Sequence, residues 1–144
     1  MTKRMNIKWI AVSFAALLAG ALIGGSLVHM AIADDAGEVK LVASEKLPNV
    51  PGKSVSAVMV SYGPGGKSGS HHHGGSVLAY VLSGEIRSEN SATGPAKVYK
   101  AGKTFFEPPG STHLISENAS ATEPASLLAI FIADDGATLT TFDQ

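Results

Sequence analysis

The chain has 144 residues, no cysteine and a formal net charge of −1, from eleven Lys and Arg against twelve Asp and Glu. That length fits one domain, and the lack of cysteine excludes a disulfide framework, a lipid-attachment thiol and any thiolate metal ligand. Three of the basic residues precede a long uncharged run, leaving eight against twelve acidic residues afterwards, and this mild acidity without a basic cluster excludes a nucleic-acid partner.

Residues 1–33 read as an export segment. Lys3, Arg4 and Lys8 stand ahead of an apolar run that starts at Trp9, continues through Leu17, Leu18, Leu22, Ile23 and Leu27, and ends in Ala31-Ile32-Ala33. Small residues one and three positions before a cut suit a signal peptidase, so cleavage is expected before Asp34. The alternative is an uncleaved anchor, since Trp9 to Ala33 is long enough to cross a bilayer as a helix of roughly 20 residues. Gly20, Gly24, Gly25 and Ser26 favour processing, and the length favours retention. Either outcome exports the remainder to the periplasm or the extracellular space, with membrane contact only through residues 9–33 if they stay attached.

Residues 34–54 form an N-terminal arm with one predicted strand, Val39–Ala43, after which Pro48 and Pro51 limit regular structure. Such an arm suits the edge of a sheet, its own or that of a second copy, and a homodimer is the expected assembly.

From residue 55 to 144, short runs rich in Val, Ile, Leu, Tyr and Phe alternate with Gly, Pro, Ser and Asn clusters, and no helical period persists. Predicted strands are Val55–Tyr62, Leu78–Leu82, Ile86–Glu89, Lys97–Tyr99, Thr104–Glu107, His113–Ser116 and Leu127–Ala133. Turns fall at Gly63-Pro64-Gly65-Gly66, Ser83-Gly84, Asn90 to Pro95, Ala101-Gly102 and Pro108-Pro109-Gly110. This is an all-β pattern, and so many short strands call for a small β-barrel or jelly roll that hides its edges, with a sandwich as the alternative.

Four of the five histidines fall in two places, the triplet His71-His72-His73 and the single His113 after the Pro-Pro-Gly turn. Alternate residues on a strand share a face, so His71 and His73 point one way and His72 the other. His113, placed on the opposite wall, would complete a three-imidazole site with open positions for water, dioxygen or substrate. Glu85 and Glu107, both beside turns, read as solvated, with a reach to the metal in place of a missing carboxylate as the alternative, and Tyr80, Phe105, Phe106 and Phe131 read as core, with one or two lining a ligand pocket as the alternative. His72 reads as exposed or as a partner behind the ligands. The sequence assigns no catalytic residue.

The spacing around these histidines resembles the cupin superfamily. Its first motif is a glycine, five residues, His-x-His, three or four residues, Glu, six residues and Gly, and Gly65, His71, His73 and Gly84 stand at matching offsets with Val77 in the place of Glu. Its second motif, a glycine, five residues, Pro-x-Gly, two residues, His and a nearby Asn, is matched by Gly102, Pro108, Gly110 and His113, with Asn118 one residue late. The resemblance spans about Val55 to Ile132 and implies a jelly-roll barrel, or double-stranded β-helix. It also implies a divalent metal, Fe, Mn, Ni, Cu or Zn, held by His71, His73 and His113. Without the family glutamate, a neutral three-histidine site leaves the ion's full charge, which favours an anionic further ligand and removes the obvious general base. Three readings follow: an exported metal-binding cupin with a small-molecule ligand; a metal-dependent dioxygenase, quercetinase-like or thiol-dioxygenase-like, acting on a small aromatic or thiol compound; and a metal-free ligand-binding or structural cupin.

Overall fold

Eleven strands and no helix occur among residues 37–144, the part of the chain described by this computed structural model. The expected export segment lies outside the described residues. The strands are β1 (Val39–Lys46), β2 (Lys53–Tyr62), β3 (Lys67–Ser68), β4 (His71–His73), β5 (Gly75–Ser83), β6 (Glu85–Asn90), β7 (Gly94–Lys100), β8 (Thr104–Glu107), β9 (Thr112–Asn118), β10 (Ala125–Asp134) and β11 (Thr140–Phe142). They form two sheets, one ordered β1-β2-β10-β5-β8 and the other β11-β4-β9-β6-β7, with β3 also pairing β9. All the pairings are antiparallel.

The period of two decides what each strand buries. In β5, Val77, Ala79 and Val81 face inward and Leu78, Tyr80 and Leu82 face out; in β10, Leu127, Ala129 and Phe131 face inward. With Val58, Tyr62, Ile86 and Phe105 they fill the space between the sheets. Each large apolar side chain so buried contributes about 1.5–3 kcal/mol. Of the four aromatics expected in the core, Phe105 and Phe131 are there, but Tyr80 and Phe106 are 42% and 48% exposed. The cause is parity: adjacent strand residues take opposite faces, so Phe105 inside forces Phe106 outside.

The arm is an edge strand, β1 pairing with β2 from Val39↔Val60 to Lys46↔Ser54. Three short strands lie outside the eight expected ones: β3, β4 and β11, the last of which pairs with the histidine triplet through Thr140↔His73 and Phe142↔His71.

Two motif glycines show why this backbone needs them. Gly84 and Gly102 both have positive φ, +67° and +83°, where a side chain crowds its own backbone. They differ in surroundings. A Cβ on Gly84 would lie 2.6 Å from the Pro124 carbonyl oxygen and 2.8 Å from the Ala125 Cβ, whereas on Gly102 the nearest atom is the Tyr80 hydroxyl at 4.0 Å. Gly102→Ala should therefore cost only the conformational penalty of about 1–2 kcal/mol, and Gly84→Ala that penalty plus the displacement of a neighbouring strand. Chemical denaturation of the two variants ranks them, and equal losses would contradict this account of Gly84.

Candidate metal centre

Three neighbouring strands of the six-stranded sheet build most of the site. Register places His71 opposite His113, and His113 opposite Asn90, so β4, β9 and β6 present a row of three polar side chains across the sheet. His113 is thus on the adjacent strand to His71, not on an opposite wall as the sequence suggested. The Pro108-Pro109-Gly110 turn carries the chain from β8 in one sheet to β9 in the other and so lays His113 beside the triplet. A bulge adjusts the aim: β9 holds one extra residue, Leu114, between the partners of Glu89 and Asn90. Residues three apart, His113 and Ser116, are in consequence both buried.

His71 and His113 are buried and His73 nearly so, while His72 is exposed and lies 3.2 Å from Asp143. The triplet therefore splits as its strand period requires. One donor nitrogen from each of His71, His73 and His113 lies within 4.8 Å of the others. Donors around one ion at 2.0–2.2 Å stand roughly 3–3.5 Å apart, so a pair at 4.8 Å must close by about 1.3–1.8 Å when an ion binds.

Hydrogen bonds set the direction of each ring. His71 Nδ1–H donates to the Gly69 carbonyl at 2.7 Å, and His73 Nδ1–H to the Leu139 carbonyl at 3.0 Å. Both Nε2 atoms are left with their lone pairs, as an outer partner of a metal-binding imidazole should leave them. His113 meets the Ser88 hydroxyl through Nε2 at 2.8 Å. Phe142, Phe131 and Phe105 stand against His71, His73 and His113 with ring centroids 5.3, 5.1 and 5.8 Å apart. This apolar packing pushes the His71 pKa down to about 4, chiefly by burial, and lowers that of His73 for the same first reason. Both imidazoles are neutral at pH 7, the form that ligates.

The second sheet supplies a carboxylate that the sequence placed in solvent. Glu107, at the end of β8, is 3% exposed, and its Oε2 lies 3.0 Å from His113 Nδ1 and 3.6 Å from His73 Nε2. Burial alone would raise its pKa; the hydrogen bond from His113 and the nearby imidazoles hold it below the usual carboxylate range. The turn that makes Glu107 look exposed instead folds its side chain inward, because β8 buries Phe105 and Glu107 on one face. Asn90 Nδ2 approaches the same oxygen at 3.4 Å and donates to Ser111 Oγ at 3.0 Å. Glu85 behaves as expected, half-exposed and paired with Lys100 at 3.0 Å. Val77 is buried in the core and directly opposite Glu107 across β5 and β8. Asn118 has no part in the centre: its amide donates to the Gly63 and Glu123 carbonyls and ties two loops together.

A cavity of about 80 Å³ opens over these residues, lined by Val58, Val60, Leu127, Phe131, Leu139 and Phe142 among others, with Tyr62 and Ser116 on its polar side. The Tyr62 hydroxyl reaches across to Ser68 and Ser116 at 2.8 and 2.9 Å.

Residues 58–131, half of the chain, match the Cupin domain family. The chain belongs to the cupin family. Within it, the chain is 34% identical over 91 residues to germin-like protein subfamily 2 member 2 of Arabidopsis thaliana, a match covering 60% of this chain and 41% of that protein. The cupin thus spans well under half the length of that curated relative. Among solved structures, oxalate oxidase in complex with the substrate analogue glycolate is 25% identical with a TM-score of 0.52, over 61% of this chain and 45% of that one. An uncharacterized conserved protein with a double-stranded β-helix domain from Klebsiella pneumoniae matches in size, with a TM-score of 0.58 over 87% of this chain and 99% of that one; at 19% identity it shows the fold alone. The double-stranded β-helix expected from the histidine motifs is the fold of this cupin.

The depressed histidine pKa values make the metal-free cupin acid-sensitive. Between about pH 4 and 6.5 His71 is protonated when unfolded and neutral when folded. The unfolded state then binds more protons, and stability falls with falling pH, by on the order of 3 kcal/mol for His71 across that window. Thermal unfolding of metal-stripped protein should give a Tm at pH 4.5 lower than at pH 7 by about 10 °C or more, and an unchanged Tm would contradict the buried, neutral imidazole.

Proposed function

We propose that this cupin is an exported metal-binding protein that holds one divalent ion through His71, His73 and His113 beneath a small apolar cavity. The observation that carries the reading is the engagement of the His71 and His73 Nδ1 atoms by backbone carbonyls, which leaves two Nε2 lone pairs in a group of three imidazoles, two buried and one nearly so. An inert core would not need three imidazoles facing one another, since each gives up hydration that apolar side chains would not. Nitrogen and oxygen donors suit manganese, iron, nickel, copper or zinc, and the ion when bound would supply Lewis acidity and, for the redox metals, electron transfer. Export rests on the charged start, apolar run and Ala31-Ile32-Ala33 ending of residues 1–33.

The cavity decides the ligand's size. At about 80 Å³ it is far below the roughly 300–1,000 Å³ of sites for drug-sized molecules, which disfavours a three-ring flavonol of the kind a quercetinase takes. A ligand of a few heavy atoms fits. This favours, as a second reading, metal-dependent oxidation of a small anionic compound, which the 25% identity to oxalate oxidase bound to glycolate supports.

Titration calorimetry of the metal-stripped cupin with Mn(II) and with Zn(II) tests the main reading. One ion per chain is expected, with binding weakened by at least about 100-fold in His71→Ala and in His113→Ala, more than loss of an outer partner alone. Binding that survives in both variants, or none in the parent protein, would overturn it. Oxygen uptake on adding oxalate or glycolate to the metal-loaded cupin tests the second.

For assembly, the proposal is a homodimer through the outer face of the five-stranded sheet. There Leu78, Tyr80, Leu82, Phe106 and Ile132 are all exposed, with Leu78 directly opposite Phe106 on one side and Ile130 on the other. A continuous apolar face of this kind marks an interface. Light scattering at micromolar concentration should give a dimer that Leu78→Glu converts to a monomer; a monomeric parent protein would contradict it.

A further inference from the structure

We propose that Glu107 is a fourth ligand of this centre, a carboxylate supplied from β8 in place of the one missing at Val77. The inference rests on the three-histidine reading above and adds the residue that completes the site's charge. Val77 and Glu107 are direct cross-strand partners, and such partners project from the same face of a sheet with Cβ atoms roughly 5 Å apart. A carboxylate at either position therefore reaches the same part of the interior. Here the longer side chain has moved one strand over, and valine fills the vacated place in the core.

Three observations single out Glu107. Among the described residues it is the one acidic group lining the cavity. Its Oε2 stands 3.0 Å from His113 Nδ1 and 3.6 Å from His73 Nε2, separations close to the roughly 3–3.5 Å between donors that share an ion. It is also held: Asn90, whose Oδ1 accepts from the Ala92 amide at 2.9 Å, places Nδ2 beside Oε2. Asn90 is a positioning residue, as is Ser88. The Ser88 hydroxyl can donate to His113 Nε2 when Nδ1–H points at Glu107, or accept from Nε2–H when Nδ1 carries a lone pair toward an ion. The same side chain serves both tautomers without moving.

The consequence is electrostatic. Three neutral imidazoles leave a divalent ion with two positive charges in an apolar pocket; Glu107 lowers this to one. Such a centre still attracts a small monoanion or dianion, and it regains a carboxylate able to take a proton from a bound ligand.

The test follows Co(II) and Zn(II) binding in the full exported chain. Loss of an outer-sphere partner typically costs 10–100-fold in affinity, so loss of a direct ligand by Glu107→Gln should weaken binding by about 100-fold or more and alter the visible absorption of the Co(II) form. In the parent protein, loading with Zn(II) should shift a pair of carboxylate stretching bands in the infrared difference spectrum, a readout that does not depend on the variant's folding. If the parent binds one ion that His71→Ala loses, yet its carboxylate bands do not move and Glu107→Gln keeps the parent affinity and spectrum, Glu107 is not a ligand and the three-histidine reading stands. If the parent binds no ion, both are overturned.

Discussion

The interior of this barrel is organised around one pairing, the Glu107 carboxylate against His113 and His73. A carboxylate cannot be taken out of water alone; its burial costs several kcal/mol unless partners stabilise the charge. Glu107 lies on the five-stranded sheet and its imidazole partners on the six-stranded one, so this polar contact joins the two sheets across the core. Everything near it serves that placement. Asn90 and Ser88 on β6 hold the carboxylate and the imidazole from behind, and the Leu114 bulge lets β9 aim both His113 and Ser116 inward.

The apolar shell has a different task. Phe105, Phe131 and Phe142 exclude water from the histidine rings. Exclusion favours the neutral form of His71 and His73 and strengthens every charge interaction inside. It also leaves a cavity so small that the chemistry of any ligand must be decided by the ion and Glu107 more than by shape. Proton uptake is the price, since acid reaches these histidines more readily in the unfolded chain than in the folded one.

The sequence carried much of this. The His-x-His period put His71 and His73 on one face, and the register of Gly102, Pro108, Gly110 and His113 gave the fold and the third imidazole. What it hid depends on contacts distant in the chain. One local signal marks Glu107 as buried, the alternation in Thr104–Glu107 read with Phe105 as core; against it stand the turn residues Pro108 and Pro109, and its partner Val77 lies 30 positions earlier. Asn90 sits in a Ser-Glu-Asn-Ser stretch typical of a loop, and its place opposite His113 follows from a bulge that no composition shows. The final strand Thr140–Phe142 is too short for a periodic signal, yet it supplies Phe142 against His71 and follows directly on Leu139, whose carbonyl holds His73.

Anomalous diffraction from crystals of the cupin grown with Mn(II) tests the central claim most directly. A single ion bonded to His71, His73 and His113, with a Glu107 oxygen beside it, is the result this account predicts. Manganese at the exposed His72–Asp143 pair with none among the buried histidines would contradict it.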